Sequence, residues 1–384
     1  MVALSRNLST SIYRSQPFSG RARVLLHRRL PTLVALAAVT VGLTVTTSGP
    51  ADAPAARAEA AGRTESTTRT ESTARVDLVA QRAGRWLSGA SGSEAANGTF
   101  GRWRGARVEI IGTWINDPAV YPFGRKIPGC GSCGELRSWT GPVDVAIAPA
   151  KWHGWAAEAR GRNDAFWRAT ARNLAKARAG KGTTYVRPYY EFNGDWFRYS
   201  VRKGEEKKFV KAWERVARIF RAELPGVKMM LGTAASGHGK RISVAKAYPR
   251  GVDVLSIDYY NEWPFCRTKA CFAKKIKTGG GVNSLERLRR LAAKKGDPVM
   301  ISEWGNAGRR RHSRSGGGGE SVAFMSAWHS WLGKHAGTGR GRVLGEIYFN
   351  IDGYDARFEL RVRGRTTKVM PKTAARYRQL FDHT

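Results

Sequence analysis

Two glutamates show the residue pattern that most clearly indicates chemistry. Glu191 follows the β-forming residues 184–190 and precedes the aromatic ring of Trp196. Glu303 ends a second short apolar stretch, residues 299–303. An apolar, aromatic wall raises the pKa of a carboxylic acid, so that the acid holds a proton that it can donate. Two such carboxylates brought to one site could therefore act as proton donor and nucleophile.

Other kinds of catalytic chemistry find little support in the sequence. The seven histidines are scattered and include no HExxH or HxH pair, so we expect no metal site and no cofactor. Residues 232–239 contain a serine and a histidine, but they lack the Gly-x-Ser-x-Gly elbow of a serine hydrolase. These absences leave the carboxylate pair as the main hypothesis.

The segments around both glutamates resemble a known enzyme family. Residues 187–197, RPYYEFNGDWF, resemble the acid/base motif of glycoside hydrolase family 26, which includes β-mannanases and related β-1,3-xylanases and mixed-linkage glucanases. Residues 302–305, SEWG, resemble the nucleophile strand of that family. The resemblance covers roughly residues 80–355. It implies a retaining glycosidase in which Glu191 is the general acid/base and Glu303 is the nucleophile.

The resemblance and the strand-end positions also give a set of residues expected to contact substrate. They are Arg187, Tyr190, Asn193, Trp196, Tyr260, Trp304 and Asn350. By resemblance, Tyr260 hydrogen-bonds the nucleophile and Trp196 stacks on a sugar. Arg187 either holds a carboxylate in its charged form or makes a structural ion pair. Tyr190 stands where the family usually has histidine, so a preference for mannan is left open.

Two further tryptophans, Trp114 and Trp263, are candidate sugar platforms, with packing in the core as the alternative for each. Other helpers at the same rim are Asp258, at the end of the sixth predicted strand, and Asp352, after the eighth.

Alternating strands and helices predict an α/β fold, the (β/α)8 barrel that the resemblance also implies. Strands are predicted at 85–91, 108–114, 143–149, the start of 184–199, 227–232, 252–259, 299–303 and 343–350. Helices are predicted at 163–179, 205–224, 284–295, 320–332 and 373–381. The carboxyl ends of all barrel strands open on one face, which would bring the two glutamates together.

The chain is expected to have three parts. Residues 1–53 have a basic region, an apolar run and small-residue cleavage sites, and they predict a signal peptide, with a retained anchor as the alternative. Residues 54–78 lack periodicity and predict a disordered linker. Residues 79–384 would form one catalytic domain. We therefore expect a secreted, extracellular and monomeric protein that is associated with the cell wall in one version of this hypothesis.

The strong positive charge belongs to the domain and not to the predicted signal. The chain has 66 basic and 30 acidic residues, a net charge of +36, and residues 54–384 retain 60 and 29, a net charge of +31. An anionic polysaccharide, an anionic cell wall or a membrane surface would suit this charge, and a compositional bias without function is the alternative. An export signal argues against nucleic acid as the partner.

The four cysteines predict disulfides. Cys130 and Cys133 form one close pair, and Cys266 and Cys271 form another. In a secreted chain two disulfides are expected, with three possible pairings, of which the local one closes two tight loops. A zinc site built from all four thiolates is the alternative.

Three functional hypotheses are compatible with this predicted barrel. A retaining endo-glycosidase acting on a β-linked polysaccharide is the leading hypothesis. A non-catalytic glycan-binding barrel and a transglycosylase are the others. The basic, glycine-rich loop at residues 309–319 is either a surface loop or a gate beside Glu303.

Overall fold

A computed structural model provides the structure of the chain. It describes residues 85–92, 94–115, 138–149, 151–235, 242–309, 317–351 and 357–382. The predicted signal peptide and linker, the Cys130–Cys133 pair, most of the loop at 115–142, residues 310–316 and Asp352 lie outside the described residues.

Eight parallel strands close into a barrel in the order of the chain. They are β1 (Leu87–Ser91), β2 (Ile110–Ile115), β3 (Val143–Ile147), β4 (Thr184–Pro188), β5 (Lys228–Ala234), β6 (Val254–Asn261), β7 (Val299–Asn306) and β8 (Val343–Phe349). β8 pairs with β1, so the barrel sheet has no free edge. A two-stranded hairpin, β9 (Arg361–Val362) and β10 (Arg365–Thr366), follows β8.

Helices surround the barrel. In the described part of the chain they are α1 (Thr99–Arg104), α2 (Trp155–Ala159), α3 (Asp164–Arg178), α4 (Glu206–Glu223), α5 (Lys269–Thr278), α6 (Leu285–Lys295), α7 (Val322–His335) and α8 (Pro371–Phe381). Short 3-10 turns occupy Val244–Ala247 and Gly281–Asn283. No described helix combines the length and the apolar content needed to cross a membrane.

The core has two layers, as the strand pattern requires. Inside the barrel, one apolar side chain from each of several strands fills the lower half, including Leu87, Tyr185, Met230 and Ile347. Between the strands and the helices lies the larger apolar layer. Because neighbouring residues of a strand face opposite sides, most strands are apolar at consecutive positions.

The predicted (β/α)8 fold is confirmed, and its eight strands are found close to their predicted ranges. Three helices were not predicted. α1 and α2 are six and five residues long, too short to show a helical period. α5 buries only Phe272 and Ile276, so its apolar stripe is narrow.

Strand β7 departs from regular alternation, and this matters for the site. Ser256 of β6 pairs with Met300, but Asp258 pairs with Glu303, so β7 has one extra residue between these pairs. The same extra residue appears in the pairing of β7 with β8. A bulge of this kind redirects a side chain. It lets Ser302, which bonds to Ser256 inside the barrel at 2.7 Å, and Glu303 both face inward.

One of the two predicted disulfides lies in the described residues. Cys266, in the β6–α5 connection, is joined to Cys271, in the first turn of α5. The local pairing is therefore confirmed for this pair, and a zinc site using all four thiolates is excluded.

Candidate active site

Arg187 lies at the centre of a buried ion cluster in the upper barrel. Its guanidinium donates from Nε to Asp144 Oδ1 at 2.7 Å, from Nη1 to both oxygens of Asp258 at 3.1 and 3.2 Å, and from Nη2 to Glu303 Oε1 at 3.0 Å. β4, β3, β6 and β7 supply these residues, each facing inward. The three carboxylates raise the pKa of Arg187 well above its ordinary value, although burial alone would lower it.

Glu303 receives three donors from three strands. Besides Arg187, Trp114 Nε1 donates to Oε1 at 2.7 Å, and the Tyr260 hydroxyl donates to Oε2 at 2.7 Å. The Glu303 side chain is 7% exposed, whereas those of Arg187, Asp144 and Asp258 are fully buried. Glu303 is thus the member of the cluster that opens to the cleft, and its donors stabilise the anionic form.

Glu191 lies in the turn that follows β4. Trp196 Nε1 donates to Glu191 Oε2 at 2.8 Å. Burial, and next to it the negative charge of Glu303, raises the pKa of Glu191 to about 8. The Glu191 carboxyl is therefore protonated at neutral pH, and it lies close enough to Glu303 to be affected by the charge of that residue.

The backbone that carries Glu191 is strained. Tyr189 and Glu191 have φ angles of +54° and +51°, which lie in the left-handed region that side chains larger than glycine disfavour. Strain of this kind is found at sites where the surrounding structure fixes a functional group. Two glycines make room for the turn. A Cβ on Gly232 would lie 3.0 Å from Tyr190 Cα, and one on Gly194 would lie 2.7 Å from the Trp196 ring.

Tyr190 lies beside the arginine, close enough to both glutamates for their charges to act on it. The Arg187 guanidinium lies 5.8 Å from the centre of the Tyr190 ring. Burial, followed by the charges of Glu303 and Glu191, raises the pKa of Tyr190. The residue therefore stays neutral and offers a hydroxyl where the resembled family usually has an imidazole.

Two predicted substrate contacts have structural roles in this conformation. The Asn193 side chain bonds both the carbonyl and the amide of Ala234, at 2.8 and 2.9 Å, and ties the β4 turn to the end of β5. The Asn350 side chain bonds the backbone of Leu360 and Arg361 at 2.8 to 3.1 Å. Because these amide groups are buried and engaged with backbone, they orient loops instead of facing a sugar.

Trp304 is a correction to the sequence prediction. Its indole is fully buried in the layer between barrel and helices, where it packs 4.8 Å from Tyr348 and 5.1 Å from Trp328. Its N–H donates to Glu346. Neighbouring residues on a strand face opposite sides, so Trp304 points outward because Glu303 points inward. The ring cannot stack on a sugar in the cleft.

Two other tryptophan candidates, Trp114 and Trp196, are on the cleft side. Trp196 and Trp114 are partly exposed, and each donates its N–H to one of the two glutamates. Trp114 also packs edge-on against Phe349 at 5.3 Å. Trp263 is 67% exposed.

Sequence reasoning missed Asp144. The signal was available, because an aspartate in the middle of the apolar strand β3 needs a buried partner. Asp258 was expected at this rim, but not as a bidentate partner of Arg187. Burial raises the pKa of both aspartates, and Arg187 opposes that effect. Together they hold the guanidinium in place beneath Glu303.

The arrangement can carry out acid-assisted nucleophilic substitution. One carboxyl group, that of Glu303, accepts hydrogen bonds from a guanidinium, an indole and a phenol. A second carboxyl group keeps its proton. Such a division of labour between two carboxyl groups is what cleavage of a glycosidic bond requires.

Comparisons with known proteins agree with the resemblance in the motifs. No protein-family model matches the chain. The chain is 26% identical over 237 residues to endoglucanase H of Acetivibrio thermocellus, a match that covers 59% of this chain. The matched region spans 24% of that relative.

Solved structures of similar fold include three family 26 β-mannanases. The catalytic domain from Bacillus sp. JAMB-750 has a TM-score of 0.57 at 15% identity, covering 81% of this chain and 90% of that one. The modular enzyme from Cellulomonas fimi has a TM-score of 0.55 at 15% identity, with coverage of 81% and 73%. The Bacteroides ovatus enzyme has a TM-score of 0.51 at 12% identity, with coverage of 80% and 92%. The resemblance to glycoside hydrolase family 26 is therefore confirmed at the level of the fold.

Proposed function

We propose that the chain is a glycoside hydrolase that cleaves a β-linked polysaccharide by a retaining mechanism. The observation that carries this proposal is the contrast between the two glutamates. Glu303 accepts hydrogen bonds from Arg187, Trp114 and Tyr260, whereas the pKa of Glu191 is raised to about 8. Similarity to endoglucanase H and to the fold of family 26 mannanases supports the same class of reaction.

In the first step, the anionic oxygen of Glu303 attacks the anomeric carbon, and the bond from that carbon to the leaving oxygen breaks. Glu191 gives its proton to the leaving oxygen. The sugar is then bound covalently to Glu303, and Glu191 is a carboxylate. In the second step, Glu191 takes a proton from water, and the water oxygen attacks the anomeric carbon from the opposite side. Glu303 is released and the original configuration is restored.

The neighbours of the two glutamates support this cycle. Arg187, held by two buried aspartates, donates to Glu303 and places a positive charge beside it, both before the attack and when Glu303 leaves. Tyr260 fixes the other oxygen of Glu303. Trp196 holds Glu191 and offers its ring to the sugar. Tyr190, which lies beside Arg187, stays neutral.

The positive charge favours an anionic glycan as the substrate. Arg363, Arg365 and Lys368 are exposed on and beside the hairpin that follows β8, and no described acidic residue pairs with them. The side chain of Glu94 and that of Arg361 meet at 2.5 Å, and this contact fixes the base of the hairpin. The proposal includes export of the protein to the extracellular space, as predicted from residues 1–53.

The test is hydrolysis of a panel of polysaccharides that contains mannan, β-glucan, xylan and carboxymethylated glycans. The formation of new reducing ends measures the hydrolysis. Glu191→Ala and Glu303→Ala should each abolish release while the thermal unfolding transition persists. An NMR record of the first product should show the β-anomer. An α-anomer would contradict the retaining mechanism, and activity near the wild-type level in either variant would contradict the assignments.

A leaving-group experiment separates the two roles. Glu191→Ala should still form the covalent intermediate from an aryl glycoside whose phenolate leaves without a proton, whereas Glu303→Ala should not. Binding of the panel without any product would favour a non-catalytic glycan-binding barrel. Longer products than the substrate would indicate a transglycosylase.

A further inference from the structure

One aromatic side chain stands apart from the others. In the described residues, the large apolar side chains that are mainly exposed are Trp263 at 67%, Val282 at 55% and Val322 at 41%. Every other described phenylalanine, tyrosine and tryptophan is buried or partly buried. An indole that is exposed to water loses the favourable free energy of burying its large apolar surface. Trp263 is therefore the described aromatic with the most surface left for a ligand.

Trp263 lies on the loop that extends β6 past the active site. Tyr260, at the upper end of β6, donates to Glu303 at 2.7 Å, and Trp263 follows three residues later. Glu262, between them, is close enough to Glu191 for its charge to contribute to the raised pKa of that acid. The loop therefore borders the cleft between the two glutamates.

The loop is braced on both sides of Trp263. The partly buried Lys275 ammonium donates to the carbonyl of Glu262 at 2.7 Å and to the carbonyl of Pro264 at 3.0 Å, the two residues flanking the tryptophan. Phe265 packs against the edge of the indole, with ring centres 5.9 Å apart.

A second set of contacts closes the base of the same loop. The Asn261 side chain accepts from the Cys266 amide at 2.8 Å and donates to the Cys266 carbonyl at 3.0 Å. Cys266 is also joined to Cys271 at the start of α5. A flexible loop would collapse its apolar ring onto the surface, but this loop holds the ring outward. Preorganisation of this kind lowers the entropic cost of binding.

We propose that Trp263 is a stacking platform for a sugar unit of the polysaccharide outside the pair of units that Glu191 and Glu303 act on. The inference rests on the proposed function and adds a residue that selects for chain length. The flat apolar face of a pyranose ring covers an indole face, and its hydroxyl groups stay in water. A polysaccharide chain that leaves the cleft over the β6 loop would cover the exposed face of the Trp263 indole.

The test compares a polysaccharide with a short oligosaccharide of the same linkage, the shortest one that the wild-type protein cleaves. Trp263→Ala should lower kcat/KM on the polymer about fivefold to tenfold and leave the value for the short substrate unchanged. Trp263→Phe should retain most of the polymer activity, because a smaller ring still stacks. Val282→Ala, which shortens another exposed apolar residue, is the matched control and should change neither value.

Lys275→Met tests the bracing. This variant keeps the indole but removes the donor that holds the two flanking carbonyls. It should lower polymer activity less than Trp263→Ala does, with the same dependence on chain length. An equal loss on both substrates, or no loss with Trp263→Ala, would overturn the proposal. If no glycan is cleaved at all, the proposed function fails. The retardation of the wild-type protein and of Trp263→Ala in gels that contain polysaccharide would then still test whether Trp263 binds the glycan.

Discussion

Two arginines are buried with carboxylates in this barrel, and their surroundings differ. Arg187, inside the barrel mouth, bonds three carboxylates. Arg104, on α1, lies between barrel and helices and bonds the Ser88 hydroxyl at 2.9 Å and the Tyr377 hydroxyl at 3.2 Å. Its nearby carboxylate, Glu346, accepts from Ser88 at 2.6 Å.

The comparison shows what distinguishes a site from a structural cluster. Around Arg187 the carboxylates outnumber the cation, and the Glu303 side chain retains 7% exposure toward the cleft. Around Arg104 the nearby carboxylates, Glu346 and Glu109, bond Ser88 and not the guanidinium, and Glu346 is fully buried. Burial and shifted pKa values occur in both places. Among the described residues, ion pairs that join the buried arginine to a carboxylate open to the cleft occur in the first.

Tryptophan contacts alone do not separate the two regions. In the described residues, five indole N–H groups donate to glutamates. Two of these pairs, Trp114–Glu303 and Trp196–Glu191, are in the cleft. Three others are in the helical layer: Trp304–Glu346, Trp331–Glu286 and Trp167–Glu158. A tryptophan beside a glutamate therefore has to be placed on a face of the barrel before it indicates function.

The largest difference is expected from removing one charge in each cluster. Glu303→Gln should lower kcat at least about 1000-fold, because the proposed nucleophile is lost. Glu346→Gln should change the rate of the folded protein by less than about twofold and lower the Tm, since one amide N–H would face the Trp304 donor. Initial rates and calorimetric melting of both variants check this. A large loss of rate in Glu346→Gln would remove the distinction between the clusters.

Replacing each arginine comes next. Arg187→Met and Arg104→Met should each lower the free energy of unfolding by about 3–5 kcal/mol, because buried partners lose their counter-charge or donors. Arg187→Met should also abolish activity in the folded fraction, and Arg104→Met should not. Urea unfolding and assays well below the Tm measure both effects.

If Arg187→Met does not fold, Arg187→Lys keeps the charge but lacks the fork that reaches three carboxylates. Full activity in Arg187→Lys would show that the multiple contacts are unnecessary.

The pH dependence of activity should report on Glu191. Its pKa is raised to about 8, so the acid is protonated below that pH, and kcat/KM should fall as pH rises through about 8. The Trp196 N–H lowers the pKa of Glu191 by stabilising the anion. Trp196→Phe should therefore move the alkaline limb to higher pH. The position of the alkaline limb in the pH profile, measured with a small activated glycoside, reports the pKa and does not depend on how strongly the variant binds sugar. A limb that moves to lower pH would contradict this reading.

The pH dependence of stability should report on Glu346. Burial raises the pKa of Glu346 to about 7, above its ordinary value near 4.5. Between these pH values the folded state binds more protons than the unfolded state, so the free energy of unfolding falls as pH rises from about 4.5 to about 7. Glu346→Gln should reduce this slope relative to the wild type, and the part contributed by Glu191, whose pKa is raised to about 8, should remain in both proteins. Urea titrations at several pH values compare the two.

The smallest contrast concerns Trp114 and Trp304, which lie on opposite faces of the barrel sheet. Trp114→Phe removes one of three donors to Glu303 and should lower kcat about threefold to tenfold. Trp304→Phe should lower the Tm and leave kcat of the folded protein unchanged. The reverse outcome would place Trp304 in the cleft.

Much of the fold could be predicted because its signals are local. Alternation of apolar strands with helical patterns is enough to expect a (β/α)8 barrel, and the strands are found near their predicted positions. The short helices α1 and α2 lack a readable period, so they were missed. The sequence left three cysteine pairings open, and the structure joins Cys266 to Cys271.

The site could be predicted in part. Glu191, Trp196 and Tyr260 follow strands whose ends must meet in a barrel. Trp304 was predicted on the wrong side because adjacency to Glu303 in the chain is not adjacency in space. Asn193 and Asn350 have the right chemistry for sugars, but the structure engages both with backbone.

By itself, the sequence determined which residues carry charge, where strands end and which aromatic rings are available. Only the tertiary structure decided which of them face one another. The extra residue in β7 turns Glu303 inward beside Ser302, and closure of the barrel brings Asp144, Arg187 and Asp258 beneath it. The physical reason is that strand pairing across distant segments sets the direction of each side chain, and no local pattern encodes that pairing.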